Sequence, residues 1–466
     1  MTSLTNVTFD EIKIGQSITV SRTLSKMDIE ALAFTSGDVD AYHLENGDGA
    51  DTATSTEAVA SEAFFAYLLN RRLPGPGTSI VGEDFKFRGR LSVGDTLTAT
   101  VTVKEKRPDG NLLVFDCRCV NQKNETITTG SATVVAPTQR VVYADLATPE
   151  VIFRRTDAFA RLIKSCEGLP PVTCAVVHPC DHDTLVGPIE AAKRKLITPV
   201  LVGPEAKIRG VAESAKVDLR GFQIISTEHS HAAAAKAVEM ARSGEVESLM
   251  KGSLHTDELM AAVVPSATGL RTSRRISHVF VLDVPTYPRV LLVSDAAINI
   301  APELKAKVDI VQNAIDLAQV LGIEKPKVAI LSAVETVNPD IPSTIDAAAL
   351  CKMADRGQIT GGVLDGPLAF DNAVSEQAAK TKKIESPVAG KADVLIAPDL
   401  EAANMLAKQL QYLAGADAAG IVLGAKVPIV LTSRADTVRT RLASAAVMAR
   451  VAQTRRAAAA PASAKK

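Results

Sequence analysis

The chain has 466 residues, with 52 Lys and Arg against 53 Asp and Glu, a formal net charge of −1 and no Trp. That length exceeds one ordinary hydrophobic core and predicts two or three domains. The balanced charge excludes an electrostatic case for nucleic acid, and no apolar run reaches the ~18 residues a membrane span needs. The opening MTSLTNVTFDEIKIGQ has early acids and neither a basic n-region nor an apolar h-region, so no signal peptide is expected. The six cysteines (117, 119, 166, 174, 180 and 351) never form C-x-x-C. Neither a zinc ribbon nor a disulfide framework follows, and a reduced, cytoplasmic chain is expected.

In chain order, the loop TSGDVDAYH (35–43) sets Asp38 and His43 five positions apart. On spacing alone the two are an acid–base pair or an ordinary solvated turn. TEAVASEAFFAYLLNRR (56–72) reads as a helix ended by LPGPG. DTLTATVTVKEK (95–106) and LLVFDCRCVN (112–121) alternate with period two around the turn PDGN, and TITTGSATVVAP follows QKNE. These are antiparallel hairpins. One helix with a meander of long strands predicts an α+β unit over 1–137, followed by a linker at 138–150.

Beyond it the rhythm changes. CAVVHP, TPVLVG, RVLLVSD, KVAILSA, ADVLIAPD and PIVLT are short apolar runs separated by stretches with helical spacing. Buried parallel strands alternating with helices are expected over 151–455. RRAAAAPASAKK is low-complexity, and a disordered tail is expected over 456–466.

The first part resembles the MaoC-like (R)-specific enoyl-CoA hydratases of hot-dog fold. The resemblance rests on FDEIKIGQ, LAFTSGDVDAYHLE, LPGPGTSIVGEDFKFRGRLSVGDTLTATVTV and CVNQKNETITTGSATVVAP. It implies that Asp38 and His43 activate the water that adds to an enoyl-CoA, since hydration needs a base for water and an acid for the α-carbon. Asp40 and Ala41 stand where the family has Asn-Pro, and STEAVASEAFF lacks the family's His-Gly. A hot-dog domain kept for dimerisation or acyl-CoA binding is the other reading.

The second part resembles the phosphate acetyl- and butyryltransferases through LMKGSLHTDELMAAV, GLRTSRRISHVFV, VSDAAINIAPELKAKVDIVQNAIDLAQVLG and the long stretches 326–375 and 389–436. It implies two α/β subdomains with a cleft between them, 151–284 plus 423–455 and 285–422. It also implies acyl transfer from acetyl-CoA, or another short acyl-CoA, to phosphate through a ternary complex. Ser433 and Arg434 fall on the family's pair at the reacting phosphate. Thr440 stands where archaeal members have a catalytic Asp, and Asp436 could take its place. A dianionic substrate needs guanidinium forks and hydroxyl donors, so Arg271, Thr272, Arg274 and Arg275, with Lys251 and Ser253, are the expected binding residues. No metal and no cofactor is expected, CoA and phosphate being substrates, and a homo-oligomer, dimeric or higher, is expected from both families. Asp365, Asp371 and the His229–His231 pair read as turns and caps. The competing classes are a non-enzymatic acyl-CoA-binding scaffold and an oxidoreductase of the isocitrate and isopropylmalate dehydrogenase-like fold.

Overall fold

The computed structural model describes residues 3–25, 28, 31, 55–89, 94–144 and 157–459. The chain divides into two compact units, Met1–Arg155 and Thr156–Lys466. Asp38 and His43 lie outside the described residues.

Unit 1 contains β1 (Ser3–Thr5), β2 (Ser17–Thr23), helix α1 (Ser55–Arg71), β3 (Ser79–Phe87), β4 (Thr96–Arg107), β5 (Leu112–Val120), β6 (Thr126–Val135) and β7 (Val142–Ala144). Five of these strands form an antiparallel sheet in the order β2-β4-β5-β6-β3. Period-two alternation decides its faces. Leu97, Ala99, Val101 and Val103 of β4 and Leu113, Phe115, Cys117 and Cys119 of β5 are buried in one core with Phe65, Leu68 and Leu69 of α1. The intervening residues carry cross-strand hydroxyl pairs, Thr19 with Thr100 at 2.9 Å and Ser21 with Thr98 at 2.8 Å. The β4–β5 turn places Gly110 at φ 74°, a left-handed conformation that glycine adopts without a Cβ clash.

Residues 138–144 do not behave as linker. β7 pairs antiparallel with β1, and Asn6, buried, donates to the Gln139 carbonyl and accepts from the Val141 N–H, both at 2.8 Å. A buried amide that needs partners on both its N and O draws this segment into unit 1.

Unit 2 is built on one eleven-stranded sheet in the order β10-β9-β8-β11-β18-β17-β12-β13-β16-β14-β15. Its strands are β8 (Val172–Val177), β9 (Ile197–Gly203), β10 (Gln223–Ser226), β11 (Ser248–Lys251), β12 (Ser277–Asp283), β13 (Leu291–Ser294), β14 (Lys327–Leu331), β15 (Val363–Leu368), β16 (Val394–Ile396), β17 (Asp417–Leu423) and β18 (Ile429–Val430). Among its helices, α2 (His182–Lys193), α3 (Leu304–Val320), α4 (Leu400–Tyr412) and α5 (Val438–Ala459) bear on the site. The sheet is buried on both faces: Val279 and Val281 of β12 enter one core and Phe280 and Leu282 the other.

The sheet is not the all-parallel one expected. β12 is antiparallel to β17 and to β13, and β17 is antiparallel to β18. The links 284–290 and 424–428 are too short for a crossover helix, so the chain must turn back on itself. Strands buried on both faces are continuous apolar runs in either direction, which is why their sense is not visible in composition. The expected subdomain boundary at 422/423 also cuts β17, which lies between β18 and β12 as a central strand.

The expected tail begins too early. α5 continues to Ala459, because an alanine run favours helix and Arg456 anchors it. Its guanidinium holds Glu247 at 2.6 Å and donates to the Pro170 and Pro171 carbonyls.

Candidate active site

The parallel strands β8, β11 and β18 bring three loops to one edge of the sheet. Lys251 ends β11. Gly252 follows it, where a Cβ would lie 2.3 Å from the Val177 carbonyl oxygen; only glycine lets the loop cross the end of β8 there. Ser253 then donates from Oγ to the His178 carbonyl at 3.0 Å and lies 3.3 Å from His178 Nδ1. His178 itself has φ 56°, a left-handed backbone uncommon outside glycine. Burial lowers its pKa below the ordinary imidazole value, favouring the neutral ring.

After β18 the chain makes a tight turn through Ser433–Asp436. The Asp436 Oδ2 accepts the Ser433 N–H at 2.6 Å and its Oδ1 faces Gln411 at 3.3 Å and Lys408 at 3.8 Å, both on α4. Asp436 is 2% exposed. Both of its oxygens are therefore engaged in holding the loop, and the carboxylate expected as a base for the thiol is occupied as an anchor. Among the described residues, Thr440 Oγ1 has only a long contact to Thr437 Oγ1 at 3.4 Å. Ser433 is half-buried and Arg434 exposed.

The group that joins these loops is Arg441, on α5, which the sequence reading passed over. It is 1% exposed. Nη1 donates to Thr432 Oγ1 at 2.6 Å and the Lys251 carbonyl at 3.4 Å, and Nη2 to the Ser433 carbonyl at 3.0 Å. Its Nε has no partner among the described residues. Gly187 of α2 makes room for it, since a Cβ there would lie 2.9 Å from Arg441 Cβ. Burial lowers the Arg441 pKa against the opposing charges of Asp181, Asp436 and Asp183, and with no direct ion pair among the described residues its charge acts on its neighbours. Lys251 Nζ lies 3.3 Å from the Thr432 carbonyl and 3.5 Å from that of Gly252. Burial first, then Arg441 and Arg434, pull the Lys251 pKa down to about 8, against the opposing influence of Asp436 and Asp181. Three cations thus converge on the Ser433 loop, the environment a phosphate dianion requires.

The other basic cluster lies elsewhere. Leu431 donates to Gly420, and β17 pairs with β12, so Ser433 comes level with the Leu282 end of β12. Arg271–Arg275 precede the opposite end of β12, tied down by Thr272 Oγ1 to the Gly424 carbonyl at 2.7 Å. At ~3.4 Å per residue the two groups are about 20 Å apart or more along the strand. Within one chain they cannot share a phosphate. At that far end the cations are matched by acceptors: Arg274 pairs with Asp316 at 2.5 Å, and Arg275 donates from Nε to Asn299 at 2.7 Å and from its N–H to Asp309 at 2.8 Å. Cavities of about 570 and 770 Å³ flank this loop. The sequence cannot separate the clusters because their distance depends on which end of β12 each loop meets.

The remaining polar motifs take modest roles. His229 caps its helix by accepting from the Ala232 N–H at 3.2 Å. Asp365 accepts from its neighbour Gly366 at 2.9 Å, and Asp371 pairs with Lys382 at 3.2 Å. His178 and His182 do not share a helix, since α2 begins at His182 with Asp181 as its cap.

Comparison with known proteins gives this geometry a context. The family model for phosphate acetyl/butaryl transferase matches residues 227–449. The phosphate acetyltransferase of Rhizobium meliloti is 65% identical over 300 residues, 64% of this chain and 95% of that enzyme. The phosphate butyryltransferase of Clostridium acetobutylicum is 41% identical over 295 residues, 63% of this chain and 98% of that enzyme. Among solved structures, a branched-chain phosphotransacylase from Enterococcus faecalis V583 aligns with a TM-score of 0.53 at 29% identity, covering 60% of this chain and 99% of its own. Through its second unit, the chain belongs to the phosphate acetyl/butyryltransferase family.

Proposed function

We propose that unit 2 transfers a short acyl group from acetyl-CoA, or a near homologue of it, to inorganic phosphate, giving acyl phosphate and CoA. The observation that carries this reading is the convergence of Lys251, Arg434 and buried Arg441 on the Ser433 loop, within a chain this similar to acyl-phosphate-forming enzymes. Phosphate binds between these cations and attacks the thioester carbonyl. Ser433 Oγ and Arg434 stabilise the oxyanion of the tetrahedral intermediate, and the intermediate collapses with departure of the CoA thiolate. Asp436 positions Ser433 by holding its N–H, and Ser253 and His178 shape the neighbouring wall. No step calls for a metal or a redox cofactor. The test is CoA release from acetyl-, propionyl- and butyryl-CoA, with and without phosphate. Release that does not depend on phosphate is hydrolysis and sinks the reading; binding of CoA with neither phosphate-dependent release nor hydration favours the non-enzymatic acyl-CoA-binding scaffold.

A helix packed on a five-stranded antiparallel sheet supports a hot-dog reading of unit 1. For it we propose acyl-CoA handling, with Asp38 and His43 as the hydrating pair. If so, crotonyl-CoA is hydrated to the (R)-3-hydroxy product, and Asp38→Asn or His43→Ala removes that activity while sparing phosphate transfer. Wild-type protein that never hydrates crotonyl-CoA makes unit 1 a binding or assembly module. Assembly as a dimer or higher oligomer in the cytoplasm completes the proposal; light scattering that gives a monomer mass at micromolar concentration overturns the assembly.

A further inference from the structure

The transferase reading leaves the proton on the CoA sulfur without an assigned partner. Forming acyl phosphate expels a thiolate that must be protonated, and the reverse reaction needs a base for a thiol of pKa ~8.5. Besides Lys251, the Ser433 loop and the first turn of α5 offer three side chains to consider. Thr440 carries no titratable group. Asp436 spends Oδ2 on the Ser433 N–H at 2.6 Å and turns Oδ1 toward Gln411 and Lys408. Arg441 is committed through both Nη atoms to Thr432, Lys251 and Ser433, and a guanidinium does not exchange protons at neutral pH.

Lys251 differs from all three. Its ammonium has three N–H groups and, among the described residues, only two carbonyl contacts, to Gly252 at 3.5 Å and Thr432 at 3.3 Å, both beyond the ordinary length of a hydrogen bond. Thr432 is bonded directly to Ser433, so Nζ lies beside the backbone of the residue that faces the reacting centre. The lysine is 3% exposed, which shields it from bulk water. No carboxylate forms a salt bridge with it among the described residues; the charged groups facing it are Arg441 from α5, Arg434 and Asp436 from the loop after β18, and Asp181 at the cap of α2.

We propose that Lys251 is the acid–base group of the transfer: its ammonium protonates the departing CoA sulfur, and its neutral amine takes the proton from the thiol in reverse. In the forward step the C–S bond of the tetrahedral intermediate breaks with its electron pair going to sulfur. One N–H bond of Lys251 breaks as the S–H bond forms, and the amine recovers its proton from water that enters once CoA has left. This rests on the transferase reading of the same site. The pairing is favourable because a lysine held at about 8 lies close to the thiol it serves, which makes transfer nearly balanced in both directions.

The forward rate at saturating phosphate, followed from pH 7 to 9.5 in the full chain and in Lys251→Arg and Lys251→Met, tests the assignment. The wild type should lose rate above about pH 8, as the ammonium deprotonates. Lys251→Arg keeps the positive charge but cannot give up its proton. It should be slower at pH 7 by on the order of 10²-fold and flat across the range, and Lys251→Met should be flat as well. Near wild-type turnover in Lys251→Arg makes the lysine a mere charge and overturns the inference. So does survival of the alkaline descent in whichever of the two variants folds, or its absence from the wild type. A wild type that shows no phosphate-dependent CoA release removes the transferase reading itself, and this inference with it.

Discussion

The two ends of β12 carry similar residues in different surroundings, exposed at one end and buried at the other. At the Arg271–Arg275 end each placed cation has found an acceptor, and the Arg274–Asp316 pair is open to water, with side chains 38% and 49% exposed. At the Ser433 end Lys251 and Arg441 are almost wholly buried, their direct contacts are to carbonyls and the Thr432 hydroxyl, and Asp436 and Asp181 act on them without a direct ion pair among the described residues. An exposed ion pair stabilises a fold a little, whereas a buried cation without a direct ion pair leaves room for an anion. The difference separates a loop fastened at the surface from the loop proposed to receive phosphate.

The sharpest way to break that contrast is at the reacting loop. Ser433→Ala and Arg434→Ala should each lower turnover on the order of 10²-fold with a smaller change in KM, because they act where charge develops. Steady-state kinetics that show unchanged turnover remove them from the site. Next comes Gly187→Ala, whose Cβ would meet Arg441 Cβ and Cδ at 2.9 Å. It should destabilise unit 2 by about 1–3 kcal/mol and reduce activity by displacing Arg441, measured by urea unfolding alongside kinetics; a neutral result on both means Arg441 is not confined as described.

Lys251→Met should move stability the other way. The folded pKa of Lys251 lies below its ordinary 10.5, at about 8, so between those values the unfolded chain binds the extra proton and stability rises with pH. Replacing the lysine with an apolar side chain of similar length should raise the stability of unit 2 at pH 7 by roughly 1–2 kcal/mol and flatten that slope. Thermal unfolding that shows lower stability at pH 7 would mean the two carbonyl contacts outweigh the cost of burying the charge. The smallest effect is expected at the far end. Arg274→Ala removes an exposed pair and should cost less than about 1 kcal/mol and leave turnover within about twofold of wild type. A loss comparable to that of Arg434→Ala would bring the far cluster back into the reaction, through a neighbouring subunit.

Much of the architecture was legible because it depends on local pattern. Strict alternation marks β4 and β5, the LPGPG run marks the end of α1, and the apolar runs mark β8, β9, β13, β14, β16 and β18. Lys251 and Ser253 were legible through the run KGSLH, whose Gly252 makes a close backbone approach. Asn6 defeated the linker reading because its partners lie 133 and 135 residues away. Arg441 was invisible in VRTRLASAAV because an arginine in a helix is ordinarily solvated, and only the absent side chain of Gly187 admits it to the interior.

By itself, then, the sequence determined two units with different strand rhythms, the likeness to the acyltransferases and the residue types gathered for phosphate chemistry, since each follows from local composition and order. Only the tertiary structure decided the antiparallel centre of the sheet, and with it which loop meets which end of β12. It also decided that Asp436 anchors the loop, and that Lys251 is stripped of water beside two arginines. Strand direction and burial are set by contacts between distant segments, and the charge state of a group depends on what surrounds it in space.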